Sequence, residues 1–396
     1  MSLFDPVAMV TGPVMPAHIY VHVPFCRAKC SYCDFASIAD ADALTIDSVR
    51  KGIESEVTRW ASAALPGVVE TVYIGGGTPT ILSQRLVELA RHILEMFPHT
   101  PDVEVTIEAN PDSLSRPLLE ELAQAGVTRI SLGVQSFDAT ELGLLGRSHS
   151  PECVVELAKV ICELGLDLSL DLICAIPGQS KESWLSTLNR AASTRAGHIS
   201  VYPLSIEPGT PLEVACSVGL VEPPNQDIAA EHMILAEEEL SKHGLYRYEV
   251  ANYSIPGKES RHNMAYWSAR SYLGIGPAAH SMLDAPTAAS VGLVDGADAD
   301  AARVRFGQPS NVNQWLIGTP ATIELLNAKE AHREDIMLGM RLTRGVPVAF
   351  FDEKELRLVL DGLLRDGLVE CVSQQVRATR TGWLLGNEIY SRIWVD

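Results

Sequence analysis

Three cysteines, Cys26, Cys30 and Cys33, stand at C-x3-C-x2-C spacing within His22-Val23-Pro24-Phe25-Cys26-Arg27-Ala28-Lys29-Cys30-Ser31-Tyr32-Cys33-Asp34-Phe35. They follow directly on the apolar run His18-Ile19-Tyr20-Val21. A strand feeding a short loop presents three thiols to one point. Soft thiolates in such a cluster suit an iron–sulfur centre or zinc. Three ligands leave a tetrahedral metal one position short, and an open position is what a working site keeps. A closed zinc site with His22 as fourth ligand is the structural alternative. A disulfide is the other, although nothing marks the chain as secreted.

Other residues able to do chemistry recur at the ends of later apolar runs. Gly75-Gly76-Gly77-Thr78-Pro79 fits neither the Rossmann fingerprint nor a Walker loop. Its glycines either let backbone groups approach a ligand or make a tight turn. Glu108 closes another run, ahead of Ala109-Asn110-Pro111. A carboxylate there is costly to bury without partners; ribose hydroxyls or an arginine inside the fold would serve. Gln135, Arg147 and Asp171 follow, then Arg261-His262-Asn263-Met264-Ala265-Tyr266-Trp267, a polar pair ahead of aromatics that also suits a packed corner. His149 reads as a surface or capping residue.

These positions need a scaffold, and the pattern supplies one. Strands are expected at Ile19–Val23, Thr71–Ile74, Val103–Glu108, Arg129–Val134, Leu166–Ile173 and Ile199–Leu204. Helices are expected between them at Leu44–Ala64, Ser83–Phe97, Ser115–Ala125, Pro151–Leu164 and Lys181–Ala196. Repeated β–α units mean an α/β fold with a parallel sheet, either a partial barrel or an open doubly wound sheet. In barrels, chemistry gathers at the C-terminal edge of the strands, and the cysteine, glycine, Glu108, Gln135 and Asp171 motifs fall at that edge.

Residues 1–17 read as a flexible leader and 18–283 as the barrel with a closing extension, including a helix at Ile228–His243 and a strand at Tyr246–Tyr253. Residues 284–329 read as an irregular connector, with a hairpin or short helix within Arg305–Trp315. The tail, 330–396, reads as two amphipathic helices (His332–Arg341, Glu353–Asp366), two strands and a helix at Gly382–Arg392, a winged-helix pattern. Its nine Lys/Arg against eleven Asp/Glu argue against DNA binding and for a small docking or lid domain.

The chain has 396 residues, 46% hydrophobic and 20% charged, which is enough for one large and one small core. A formal charge of −19 argues against nucleic acid or an anionic membrane as partner. No apolar stretch reaches spanning length, and the first residues do not form a signal peptide. The five remaining cysteines, Cys153, Cys162, Cys174, Cys216 and Cys371, read as reduced, buried thiols of a cytoplasmic protein.

The cysteine loop resembles that of the radical S-adenosylmethionine (SAM) superfamily. Tyr20, His22, Pro24 and the Cys33-Asp34-Phe35 ending are similar to the oxygen-independent coproporphyrinogen III oxidase-like branch. That resemblance implies a six-stranded partial (β/α) barrel followed by a HemN-type C-terminal domain. It implies a [4Fe–4S] cluster on Cys26, Cys30 and Cys33, and SAM held by Tyr20, Phe35, Gly76, Gly77, Thr78, Glu108, Gln135, Arg147 and Asp171. Ala175 departs from the glycine the family commonly has there. Phe35 stands where the oxidases carry a further cysteine, and the leader is shorter than theirs. His262-Asn263-Met264-Ala265-Tyr266-Trp267 resembles the H-N-x-x-Y-W motif of the HemW-type heme chaperones. The chain is therefore expected to bind heme through His262 and pass it to acceptor proteins, some of them membrane-associated, and to act as a homodimer. The alternatives are radical decarboxylation of coproporphyrinogen propionates, or another radical SAM activity on heme.

Overall fold

The computed structural model describes residues 15–294 and 300–394. Most of the expected leader, residues 1–14, and part of the expected connector lie outside the described residues. Six strands pair in parallel and in chain order: β1 (His18–Val23), β2 (Val69–Gly76), β3 (His99–Ala109), β4 (Arg129–Gln135), β5 (Asp167–Cys174) and β6 (His198–Pro203). Between them run α1 (Ala43–Ser62), α2 (Gln84–Met96), α3 (Arg116–Gln124), α4 (Pro151–Glu163) and α5 (Lys181–Ser193). Right-handed crossovers in an unreversed strand order place these helices on one face, so the sheet curls into part of a barrel. A doubly wound sheet would need a reversal of order.

Side-chain alternation explains why the sheet curls with its apolar face outward. Ile19, Val21, Val72, Ile74, Val105, Ile107, Ile130 and Leu132 are at most 1% exposed and pack with Val49, Ile53, Leu86 and Ile93 of α1 and α2. Each such burial contributes roughly 1.5–3 kcal/mol. Ser115, Ser150 and Ser180 cap α3, α4 and α5 by accepting the backbone N–H three residues on, worth about 1 kcal/mol each.

The sheet is longer than six strands. α6 (Gln226–Lys242) follows β6. The single strand expected at Tyr246–Tyr253 is two pieces, Tyr246–Arg247 and β7 (Asn252–Ser254). It breaks where Glu249 turns its carboxylate back onto the N–H of Ala251, 3.0 Å away. After α7 (Arg261–Trp267), β8 (Tyr272–Ile275) joins the free side of β1 in parallel. The 284–329 segment is not irregular throughout. β9 (His280–Asp284), β10 (Ala301–Gly307) and β11 (Thr322–Asn327) extend the sheet as antiparallel strands, and Val312–Leu316 forms a short helix. Charged residues on these outer strands, Arg303, Arg305 and Glu324, pair with Glu334 or with each other; they obscured the apolar alternation in the sequence.

The tail has its own core around Ile336, Phe351, Leu356, Leu363, Val376 and Ile389. It comprises α8 (Ala328–Gly339), α9 (Lys354–Arg365), the hairpin β12 (Val369–Val372) and β13 (Gln375–Ala378), and α10 (Gly386–Trp394). The helix expected over Gly382–Arg392 is two, Arg380–Leu384 and α10, divided at Leu385. This unit clasps both ends of the open sheet. At one end Asp335 of α8 takes Arg303 of β10 at 2.5 Å. At the other, Thr343 N–H donates to the Tyr248 carbonyl at 3.0 Å, and Trp383 Nε1 to the Val250 carbonyl at 2.9 Å. Arg341 lies against the Trp267 ring of α7 and the Tyr390 ring, 5.0 and 4.4 Å from their centres. Arg341→Ala should therefore lower stability by about 1–2 kcal/mol and release the tail to protease first; an unchanged melting temperature and digestion pattern would remove this contact from the clasp.

The eight cysteines are free. Of the five outside the loop only Cys174 is buried, while Cys162 and Cys371 are exposed. Cys162 falls just beyond the buried Ile161 on the amphipathic α4, and Cys371 lies on an edge hairpin. The expectation of uniformly buried thiols is corrected. Among the described residues no helix is long and apolar enough to cross a membrane.

Candidate SAM and cluster site

The cysteine loop is pinned at both ends by backbone bonds. Gly77 N–H donates to the Val23 carbonyl at 2.9 Å and Thr78 N–H to the Phe25 carbonyl at 2.6 Å. Ser31 reaches the segment after β4, its N–H meeting the Leu145 carbonyl at 3.2 Å and its hydroxyl the Leu144 carbonyl at 2.8 Å. The three glycines are taken up by the protein's own chain. A Cβ on Gly76 would sit 2.5 Å from the His22 ring, and one on Gly77 would sit 2.4 Å from the Phe25 carbonyl oxygen. Gly76 also holds a φ of +108°, which only glycine adopts freely.

Above the strand ends lies a cavity of about 610 Å³, within the range of small-molecule sites. It is lined by Cys26, Cys30 and Cys33, and by Phe35, Gly76, Gly77, Thr78, Glu108, Gln135, Arg147 and Asp171. Tyr20 is not on its wall. It stacks behind Tyr73 and bonds His22 Nδ1 at 2.9 Å. Arg147 links the cysteines to the barrel: it donates to Cys30 Sγ at 3.3 Å, to Asn110 Oδ1 at 2.7 Å and to the Gly133 carbonyl. Asn110 in turn donates to Thr78 Oγ1, which lies 3.8 Å from Cys26 Sγ.

Three soft thiolates on one loop, all lining the cavity, are the donor set of an iron–sulfur cluster. His22 is not a fourth ligand, because its Nδ1 bonds Tyr20 and its Nε2 lies 2.9 Å from the Ala36 carbonyl. The Arg147 guanidinium beside Cys30 suits a thiolate-rich centre, and its Nε is buried without a partner.

Among the described residues Glu108 has no arginine partner. Tyr73 OH donates to it at 2.7 Å and Gly76 N–H at 3.0 Å. Burial, with a smaller push from Asp171, raises its carboxyl to about 7 against those two bonds. Asp171 is also raised by burial, against hydrogen bonds from Ser200 and Ser131. Both carboxylates face ligand-sized space. Gln135 and Ala175 hold φ values of +66° and +57° at the ends of β4 and β5. The strain at Ala175 explains why glycine is common there.

His149 is buried rather than on the surface, with Nε2 3.1 Å from the Val134 carbonyl. His262 lies apart from the cysteine loop, in the barrel floor, 1% exposed. Its Nδ1 is 2.8 Å from Thr71 Oγ1 and its Nε2 3.0 Å from Tyr266 OH, and its ring stacks on Tyr73. Burial, with His18 nearby, holds it well below its ordinary pKa, so the imidazole is neutral. Sequence reasoning missed the other inward residues: Tyr73, Thr106, Arg129, Ser131, Ser169, His198, Ser200 and Tyr202. Their signal was the polar member at every second position, as in Arg129-Ile130-Ser131-Leu132-Gly133.

Cysteine loop, curled parallel sheet and polar interior together define a radical SAM protein. A model of the Radical SAM superfamily matches residues 20–191, and one of the HemN C-terminal domain matches residues 326–385. The chain is 33% identical over 384 residues to the heme chaperone HemW of Mycobacterium tuberculosis (strain CDC 1551 / Oshkosh), covering 95% of this chain and 94% of that one. It is also 33% identical to the heme chaperone HemW of Bacillus subtilis (strain 168), covering 94% and 97%. The chain belongs to the HemW family of radical SAM proteins. The solved coproporphyrinogen III oxidase HemN of Escherichia coli, described as a radical SAM enzyme, shares the fold with a TM-score of 0.78 at 21% identity, covering 96% of this chain and 90% of that one.

Proposed function

We propose that this protein is a heme chaperone, which binds heme, carries a [4Fe–4S] cluster with SAM, and delivers heme to acceptor proteins. The observation that carries this reading is the near-full-length identity to relatives named heme chaperones, over 95% of this chain. Cys26, Cys30 and Cys33 would hold the cluster, and Arg147 would balance the charge on Cys30. Gly76, Gly77 and Thr78 would offer backbone and hydroxyl groups to SAM, Glu108 would accept from its ribose hydroxyls, and Phe35, Gln135 and Asp171 would close the pocket around it. Tyr20 would act from behind Tyr73 as a positioning residue. The chemistry supplied there is transfer of one electron to the SAM sulfonium. The protein's part is to orient that sulfonium and keep water from it.

His262 is the proposed heme ligand. Its neutral state suits iron, but both ring nitrogens are engaged, so ligation requires α7 to move and one of the two bonds to be exchanged for iron. A cytoplasmic location, a homodimer and membrane-associated acceptors complete the reading. Anaerobic reconstitution followed by heme titration tests it. Stoichiometric heme binding, with no carbon dioxide released from coproporphyrinogen in the presence of SAM and reductant, is expected; decarboxylation would replace this reading with the oxidase.

Glu108 gives the site a pH signature. It faces Tyr73, Asp171 and the Gly76 N–H. Because its pKa is raised to about 7, the hydrogen-bond-accepting carboxylate prevails only above that pH. SAM affinity should rise through neutral pH, and Glu108→Gln should flatten that step while weakening binding about tenfold. A step that survives in the variant would assign it to another group.

A further inference from the structure

The floor of the cavity carries buried hydrogen-bond donors without a partner among the described residues. Thr106 of β3 and Arg129 of β4 are directly paired in register and both line the cavity. They are 1% and 4% exposed. Among the described residues the Thr106 hydroxyl has no partner, and neither do Nε and Nη1 of Arg129. Arg129 uses only Nη2, which lies 3.1 and 3.2 Å from the carbonyls of Lys258 and Glu259, 3.4 Å from Glu104 and 3.9 Å from Asp167. A third donor comes from α7. Asn263 lines the same cavity, its backbone N–H donating to Ser260 Oγ at 3.3 Å and its side-chain amide bordering the open space. The two polar residues of the H-N-x-x-Y-W motif thus divide: His262 turns into the packed floor and Asn263 borders the open space.

Buried donors left without acceptors are costly, and the Thr106 hydroxyl and two nitrogens of Arg129, beside the half-buried Asn263 amide, call for a group rich in acceptors. A carboxylate is such a group. Its oxygens carry enough lone pairs to accept from Nε or Nη1 of the guanidinium together with a hydroxyl and an amide. Glu104 and Asp167 reach Arg129 only through Nη2, which leaves Nε and Nη1 for an acceptor in the cavity.

We propose that Arg129, Thr106 and Asn263 form a carboxylate-binding subsite at the floor of the barrel cavity, for a second molecule distinct from the one beside the cysteines. The carboxylate belongs either to a small free organic acid or to a propionate arm of a tetrapyrrole such as heme. The full-length, cluster-reconstituted protein is titrated with sodium propionate by ligand-observed NMR, with SAM binding measured on the same sample. Propionate should bind, Thr106→Val should weaken it several-fold, and Asn263→Asp, which sets a second anion against the first, should weaken it about tenfold or more. Arg129→Met is less informative, because it also removes the bonds to the Lys258 and Glu259 carbonyls and the ion pair with Glu104. Heme and its dimethyl ester then separate the sources: an affinity loss of tenfold or more in the ester assigns the subsite to a tetrapyrrole arm, and equal affinities assign it to a free acid. No propionate binding, or binding that both variants leave unchanged, would overturn the subsite and leave ordered water on these donors. Loss of SAM binding in the wild-type sample would fault the cofactor assignment instead.

Discussion

Cys30→Ala, purified and reconstituted anaerobically, is expected to hold almost no iron or sulfide and to lose SAM binding with the cluster. Two thiolates do not retain a centre that three already hold with one position open. Cys30 is also the sulfur that receives Arg147 at 3.3 Å. Without it the guanidinium keeps Asn110 and Gly133 but faces the cavity with an uncompensated charge. The thiol is only partly buried and caps no helix, so the fold should lose less than about 1 kcal/mol. Iron and sulfide at wild-type levels in the variant would exclude this loop as the cluster site.

His262→Ala should have two effects of different origin. In the protein without heme it removes a ring bonded to Thr71 and Tyr266 and stacked 5.1 Å from Tyr73. A cavity of that size, together with a Tyr266 hydroxyl left without its partner while Thr71 keeps His18, should cost about 3–5 kcal/mol. The second effect is on heme, whose affinity should fall at least tenfold while cluster content stays unchanged. His262→Gln keeps polar atoms in the floor and separates the two: it should recover most of the stability and little of the heme binding. Heme spectra and affinity that both variants leave untouched would make His262 a packing residue only, and the axial ligand would have to be sought elsewhere.

Much of this architecture is legible in the residues, for a definite reason. The outward faces of β1 to β6 are mostly Val, Ile and Leu, so strand positions emerge within about two residues, except that β3 starts at His99 rather than Val103. The cysteine loop and Glu108 stand out because their residue types are costly to bury without a task. The inward faces do not stand out. Ser131, Ser169 and Ser200 are small and polar, and at every second position they look like the wet side of an ordinary sheet. Only the curl shows that this side encloses a cavity. His262 was legible as a residue but not as a location, because the bonds that bury it come from Thr71, 191 positions away. The outermost strands β10 and β11 were hidden by their ion pairs, which pattern reading takes for solvent exposure.

The clasp between the tail and the two sheet ends sets an order of events in synthesis. Chains emerge amino end first, so β1 to β6 and the cysteine loop are available long before α8 and Trp383 leave the ribosome. Until then β10 and Val250 have nothing to hold them together, and α7 lacks the Arg341 guanidinium that rests on Trp267. The nascent protein therefore passes through an interval in which its sulfur ligands exist but its floor is unsealed. What the clasp closes is the floor beneath His262, while the cysteine loop lies at the opposite strand ends with its three thiols still partly exposed in the finished fold.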